Sequence, residues 1–252
     1  YQLKELTMKN TISSLKILVQ CQEADYQGNY KISNLMSNLS DLATTNAIHL
    51  GIWHNDLSEK YGFVLAKETI ILKRPIKINE LIKLSTRASG YKRIQFMRNY
   101  WVEDENGEEI AAIYSLWTLI DLKKRRIIKP EKAGIILPEI VPYKYTINNY
   151  NEIFNDVELS YVMNRTVLYS DIDVNQHLNN SRYFEWAFDA IPVEFFKDIY
   201  FKEISVVFKK EMTPNTTAKI YRYINKNYVK IVFKSIDDEI TYFEFGGHIE
   251  TI

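Results

Sequence analysis

The stretch from Ser170 to Pro192 joins residues that can exchange protons to a segment that must be buried. Carboxylates, amides and one histidine come first, at Asp171, Asp173, Asn175, His177, Asn179 and Asn180. A dense apolar segment from Tyr183 to Ile191 follows, which is typical of a buried helix. Backbone N–H groups are free at the start of a helix, and the helix dipole favours negative charge there. We therefore predict a reaction centre at the N-terminus of this helix.

Metal sites and common nucleophilic motifs do not explain the polar run. Asp171–Asn175 is similar to the start of an EF-hand calcium loop, but Gln176 and Arg182 stand where that loop needs Gly and Glu. His177 has no further ligand at zinc spacing. The sequence also lacks a G-x-S-x-G motif and a glycine-rich phosphate loop. We predict neither a metal nor a cofactor.

Acid–base chemistry is what remains for these residues. Histidine side chains exchange protons near neutral pH, so His177 can give or take one. A nearby carboxylate can orient the imidazole or activate water, and the Asn175 amide can polarise a carbonyl group. The alternative is a polar turn that caps the helix and carries a surface histidine.

The composition excludes several functional classes. The 252 residues include 32 Lys and Arg and 32 Asp and Glu, which argues against a dedicated nucleic-acid binder or a cationic membrane coat. The single cysteine, Cys21, excludes an internal disulfide, and its apolar neighbours predict that it is buried. No segment is apolar enough to span a bilayer and no signal peptide heads the chain, so a cytoplasmic location is expected.

The order strand, helix, four strands occurs twice. Residues 12–23 and 164–170 are predicted as the first strands, and 33–51 and 179–191 as the helices, with Ser33 as N-cap of the first helix and Gly51 at its end. The later strands are predicted at 63–73, 81–90, 94–103 and 109–122, and at 203–210, 218–225, 228–236 and 240–249. We predict an α+β protein in which each half wraps a curved antiparallel sheet around one central helix. The predicted boundaries are 1–130, a linker at 131–155, and 156–252.

A shift of 146 residues aligns similar residues of the two halves: Asp25 with Asp171, Asn29 with Asn175, Ile32 with Leu178 and Asn34 with Asn180. The same shift places Gln27 opposite Asp173 and Lys31 opposite His177. The first half is therefore predicted to lack the titratable pair, and to bind a ligand or complete the fold.

The segment SDIDVNQHLNNSRYFEW closely resembles the signature of the acyl-ACP thioesterases, D-(I/L)-D-x-N-x-H-(V/L)-N-N followed by Tyr, an apolar residue and Trp. The first-half segments ELTMKN, DYQGNYKIS and SDLA and the duplicated layout also fit this family, which includes bacterial relatives of the plant enzymes. The resemblance implies a double hotdog fold. It also implies hydrolysis of the thioester between a fatty acyl chain and acyl carrier protein, which ends chain elongation.

The resemblance assigns catalytic roles to Asp173, Asn175, His177 and Glu211. Glu211 matches the acid of a pattern similar to L-x-(F/Y)-(R/K)-(R/K)-E-C, and Met212 stands where plant members have Cys. A thioether cannot act as a thiolate nucleophile, so direct attack by water is expected. The base role stays open between Glu211 and His177. Backbone N–H groups at Asn179 and Asn180 are expected to stabilise the oxyanion.

The resemblance further implies an acidic carrier protein, bearing its phosphopantetheine-linked acyl chain, as partner. The basic residues expected to dock it are Lys123, Lys124, Arg125, Arg126, Arg182, Lys209 and Lys210. In this family the N-terminal unit supplies much of the acyl-chain tunnel; Trp53, Phe63, Trp101 and Trp117 are candidates for its lining or for ordinary core packing. Three alternative functions stay open: an acyl-CoA thioesterase, a hydratase of the hotdog fold and a non-catalytic acyl-binding protein. Whether the chain forms a homodimer also stays open.

Overall fold

A computed structural model describes residues 5–9, 11–136, 141–197 and 199–251. The chain forms two compact units. Unit 1 runs up to Lys31 and from Leu35 to Thr146, and unit 2 comprises Ile32–Asn34 and the residues from Ile147 onward. The segment 131–155, expected as a linker, is thus divided between the units. Within the described ranges, none of the helices is both long and apolar enough to cross a membrane.

Unit 1 is an antiparallel sheet packed against a long helix. Its strands are β1 (Glu5–Lys9), β2 (Ile12–Leu18), β3 (Tyr61–Leu72), β4 (Leu81–Lys92), β5 (Gln95–Glu103), β6 (Glu109–Asp121) and β7 (Arg126–Ile127). They pair in the order β1-β2-β4-β5-β6-β3, and β7 pairs with β6. The helices are α1 (Ile32–His49) and the short α2 (Asn55–Ser58).

Helix α1 forms because apolar residues recur at helical spacing. Leu35, Leu39 and Leu42 are all buried, as the periodicity predicts. The predicted N-cap is wrong: Lys31 precedes the helix, and Ser33 lies buried within its first turn. The helix starts earlier because the Lys31 N–H is already bonded to the carbonyl of Glu23, which turns the chain at that point.

Unit 2 repeats this arrangement with a shorter central helix. Its strands are β8 (Ser160–Thr166), β9 (Ile199–Phe208), β10 (Thr217–Ile224), β11 (Tyr228–Lys234) and β12 (Thr241–Thr251), in the sheet order β9-β12-β11-β10-β8. Its helices are the short α3 (Tyr150–Ile153) and α4 (Asn180–Asp189). Phe184 and Trp186 of α4 are fully buried against aromatic residues of the sheet, including Phe233 and Phe243. This packing fixes the helix whose N-terminus carries the polar run.

Short 3-10 helices replace the ends of two predicted strands. The strand predicted to continue to Ser170 ends at Thr166, because Tyr169–Asp171 forms a 3-10 turn. The first predicted strand likewise ends at Leu18, before the 3-10 turn Cys21–Glu23. This turn leaves Cys21 exposed, so the prediction of a buried thiol is wrong.

Candidate active site

The turn that leads into α4 is tied together by the Asp173 carboxylate. Its Oδ1 atom accepts the backbone N–H groups of Asn175 at 2.8 Å and of His177 at 3.3 Å. The Asp173 N–H donates to the His177 carbonyl at 2.9 Å, and the Gln176 N–H donates to the Asp173 carbonyl at 3.0 Å. Gln176 adopts a φ of 62°, which closes the turn. The carboxylate therefore holds the backbone that carries His177.

Glu211, 34 positions after His177 in the numbering, lies beside it in space. His177 Nε2 is 3.4 Å from Glu211 Oε2, and the two side chains are 26% and 28% exposed. The neighbouring residues fix this approach, because the Leu178 N–H donates to the Met212 carbonyl at 2.8 Å. The pair is thus held by backbone bonding and stays accessible to a small molecule such as water.

Tyr183 supports the same region from within α4. Its buried hydroxyl accepts the Met212 N–H at 3.2 Å, which anchors the residue directly after Glu211. Burial raises the pKa of the Tyr183 phenol, so the group stays neutral. Sequence reasoning gave Tyr183 no role of its own, although the family signature has a Tyr at this position.

We expect Tyr183→Phe to destabilise the protein by about 1–3 kcal/mol, because it leaves the buried Met212 N–H without its acceptor. Urea unfolding measures this change. Tyr161→Phe is the matched control, since that side chain is 56% exposed and its loss should cost little. Equal unfolding midpoints for the two variants would contradict the anchoring role.

The start of α4 offers fewer free donors than predicted. The Asn179 N–H donates to the Asp171 carbonyl at 2.8 Å, and the Asn179 side-chain oxygen accepts the Ser181 N–H at 2.9 Å. The prediction that the Asn179 N–H stabilises an oxyanion is therefore wrong, because closing the turn uses that donor. In the described part of the chain the Asn180 N–H has no hydrogen-bond acceptor, and the Asn175 side chain is exposed at the tip of the turn.

Unit 1 contains the same turn 148 residues earlier in the chain, with Asp25 in the place of Asp173. Asp25 Oδ1 accepts the N–H groups of Gln27 and Asn29, the Asp25 N–H donates to the Asn29 carbonyl, and the Gly28 N–H donates to the Asp25 carbonyl. Gly28 and Gln176 occupy the same position of the two turns, and both have a positive φ, of 75° and 62°. The shift of 146 residues is therefore wrong: Asp25 corresponds to Asp173 and Asn29 to His177.

The position of Glu211 has its counterpart too. The Tyr30 N–H donates to the Ile76 carbonyl at 2.7 Å, as the Leu178 N–H does to Met212. Pro75 therefore corresponds to Glu211. Unit 1 keeps the carboxylate that ties the turn, and has asparagine and proline in place of the imidazole and the second carboxylate.

The predicted docking residues differ in their surroundings. Residues 123–126 are exposed and lie in the turn between β6 and β7 and at the start of β7. Lys124 Nζ is 3.9 Å from Asp121 Oδ2. Arg182 pairs with Glu185, and Lys209 lies 2.9 Å from Glu244. Lys210 is exposed directly before Glu211. In the described ranges, no three His, Cys, Asp or Glu side chains are grouped to hold a metal ion.

Comparison with protein families matches both halves of the chain. The model of the acyl-ACP thioesterase N-terminal domain matches residues 12–135, and that of the C-terminal domain matches residues 155–242. Among curated proteins, an acyl-[acyl-carrier-protein] hydrolase of Cuphea viscosissima is 21% identical over 83% of this chain. A dodecanoyl-[acyl-carrier-protein] hydrolase of Umbellularia californica is 28% identical over 48% of it. The chain spans 53% and 34% of these relatives, so about half of their length or less.

Solved structures share the fold across nearly the whole chain. An acyl-ACP thioesterase of Bacteroides thetaiotaomicron superposes with a TM-score of 0.79 at 21% identity, covering 96% of this chain and 100% of that one. The 12:0-ACP thioesterase of Umbellularia californica superposes with a TM-score of 0.82 at 15% identity, covering 98% and 100%. The chain belongs to the acyl-ACP thioesterase family and has its double hotdog fold.

Proposed function

We propose that the protein hydrolyses the thioester of a fatty acyl-acyl carrier protein and releases the free fatty acid, as a step of fatty acid biosynthesis in the cytoplasm. The observation that carries the proposal is the His177–Glu211 pair, 3.4 Å apart beside the N-terminus of α4. The curated relatives, named as hydrolases of this substrate class, support it.

In the proposed mechanism, water attacks the carbonyl carbon while Glu211 or His177 takes its proton. The developing oxyanion accepts hydrogen bonds from the Asn180 N–H and the Asn175 side chain, and one such donor contributes about 10²- to 10³-fold in rate. The carbon–sulfur bond then breaks, and His177 gives a proton to the leaving thiolate. This is the proton taken from water if His177 is the base, and the imidazolium proton that His177 already carries if Glu211 is the base. Met212 takes no covalent part, because a thioether carries no nucleophilic thiolate.

The test is to incubate the purified protein with a panel of acyl carrier proteins bearing different acyl chains and to identify the products by mass spectrometry. We expect free fatty acids from carrier-linked substrates and slower release from the matching acyl-CoA. Faster release from CoA would favour the acyl-CoA thioesterase, and water addition to an enoyl thioester would favour the hydratase. Acyl binding without turnover would leave a non-catalytic protein.

The duplicated turn provides a matched pair of variants. We expect Asp173→Ala and Asp25→Ala to destabilise the protein by similar amounts, about 1–3 kcal/mol, because each removes one carboxylate that accepts two backbone N–H groups. Only Asp173→Ala should lower kcat, by about tenfold or more, since only that turn positions His177. Comparing kcat with urea unfolding separates the two effects; an equal loss of kcat in both variants would contradict the assignment.

Docking of the acidic carrier protein is proposed to use the exposed basic residues at 123–126 of unit 1. Arg182 and Lys209 are already paired with Glu185 and Glu244, so they should contribute less. We expect KM for acyl carrier protein to rise with salt, and Arg126→Glu to raise it further, because screening weakens attraction between exposed charges. Lys209→Glu is the control with a smaller expected effect. A salt-independent KM would contradict this docking surface.

A further inference from the structure

Two charged side chains are buried on one face of the unit 1 sheet, on either side of Ser115. Glu68 on β3 and Arg98 on β5 are both direct register partners of Ser115 on β6. Directly paired residues point to the same face of a sheet. Because neighbouring strands lie about 4.8 Å apart, the Cα atoms of Glu68 and Arg98 are separated by about 10 Å.

This face looks toward helix α1. Arg98 Nη1 donates to Asn46 Oδ1 of α1 at 2.8 Å and to Thr86 Oγ1 of β4 at 3.2 Å. Both acceptors are neutral, and in the described part of the chain no carboxylate forms an ion pair with Arg98. The guanidinium is therefore buried, at 9% exposure, without a counter-charge.

Glu68 is the more unusual of the two residues. Its side chain is 3% exposed and forms no hydrogen bond or ion pair with any other described residue. Burying a polar group without a partner is costly, and burying a charge costs more. A group that supplies the missing hydrogen bonds would remove this cost.

The chemistry of the two side chains defines that group. Burial raises the pKa of the Glu68 carboxyl to about 8, so near neutral pH it is mostly protonated and can donate as well as accept. The Arg98 guanidinium can only donate. An oxygen atom with lone pairs fits both side chains, and a hydroxyl could also donate to Glu68.

The phenols of Tyr100 and Tyr143 also lie near Glu68, and the Tyr143 hydroxyl donates to the Ser115 carbonyl at 3.3 Å. Apolar residues line the rest of the surroundings. Trp117 donates from Nε1 to Ser115 Oγ at 2.7 Å and packs against the buried cluster that contains Phe96 and Leu119. A ligand that reaches Glu68 and Arg98 along these residues would be largely hydrocarbon with a single oxygen-bearing position.

We propose that Glu68 and Arg98 form a subsite within unit 1 for a hydroxyl or keto oxygen carried on an acyl chain. The inference rests on the proposed function and extends it, because it names oxygenated fatty acyl chains as the preferred substrate class.

The test is calorimetric titration of the protein with dodecanoic and hexadecanoic acids. The same titration is done with derivatives of each acid that carry one hydroxy or oxo group at different positions along the chain. We expect at least one oxygenated isomer to bind about tenfold more tightly than the plain acid of equal length, as for a hydrogen bond to a charged group. Arg98→Met and Glu68→Leu should reduce this preference to less than about threefold. Arg87→Met, on the opposite face of β4, is the matched control and should keep it.

Equal affinity of the wild-type protein for plain and oxygenated acids would overturn the subsite, and so would a preference that survives in both variants. The wild-type comparison needs no variant to fold. Binding is measured without turnover, so the two proposals fail separately. If an oxygenated acid binds preferentially but no acyl-acyl carrier protein is hydrolysed, the proposed function is contradicted and the subsite is not.

Discussion

His177→Ala and Glu211→Gln are each expected to lower kcat/KM for acyl carrier protein substrates by about 10²-fold or more, because each removes one member of the pair proposed to transfer protons. Both variants should fold normally, since the side chains are partly exposed and the Leu178–Met212 backbone bond does not depend on them. Steady-state kinetics with urea unfolding measures both properties. Near-normal hydrolysis by both variants would exclude the proposed mechanism.

A change of leaving group divides the roles of the two residues. An aryl thiolate leaves without needing a proton, so a thioester of an aromatic thiol should restore much of the activity of a variant that lacks only the general acid. We expect rescue of His177→Ala and no rescue of Glu211→Gln if Glu211 is the base. No rescue of His177→Ala would make His177 the base as well as the acid.

Met212 provides the control for covalent catalysis. We expect Met212→Leu to keep most of the activity, because no thiolate chemistry is open to a thioether. Leucine is preferable to alanine here because Met212 is fully buried, and truncating a buried methionine to alanine costs about 2–5 kcal/mol. A large loss of kcat in a stable Met212→Leu protein would contradict the proposed water attack.

Glu68→Gln is expected to stabilise the protein increasingly as pH rises from about 5 to 8. In the unfolded chain this carboxyl ionises near its usual pKa of 4.5, whereas in the folded protein burial raises its pKa to about 8. The folded state therefore holds a proton that the unfolded state has released, and stability falls as pH rises through this window. The loss approaches about 5 kcal/mol by pH 8, and glutamine, which does not ionise, avoids it.

Calorimetric unfolding at several pH values measures this difference. The two proteins should have similar midpoints below about pH 4.5, and the variant should have the higher midpoint at pH 8. Glu105→Gln, in the exposed hairpin turn, is the control and should show no such divergence. Parallel pH profiles for wild type and Glu68→Gln would show that Glu68 ionises as easily in the folded state as in the unfolded state.

The sequence predicts the duplicated layout well and its register poorly. Aligning like residues puts Asp25 on Asp171, whereas the hydrogen bonds pair Asp25 with Asp173. The error arises because a turn is defined by backbone bonds and dihedral angles, which Gly28 and Gln176 both satisfy without sharing a side chain. Side-chain identity is therefore a weak guide to register in such a segment.

Two further features depend on geometry that local pattern does not encode. The anchoring of Glu211 relies on the Tyr183 hydroxyl and the Met212 backbone, which come together only in the folded chain. The burial of Glu68 depends on an irregularity of register between Leu65 and Lys67 on β3. Such a bulge reverses the inward and outward alternation, so Glu68 faces inward where simple alternation would place Lys67.

The turn in unit 1 implies that reactivity in this architecture can be separated from the backbone that supports it. The loop around Asp25 has the same backbone bonding as the loop around Asp173, and it carries Asn29 and Pro75 where unit 2 has His177 and Glu211. Replacing Asn29 with histidine and Pro75 with glutamate would test whether exchange of side chains alone can give this turn hydrolytic activity. Unit 1 thus offers a backbone template on which a hydrolytic site could be designed.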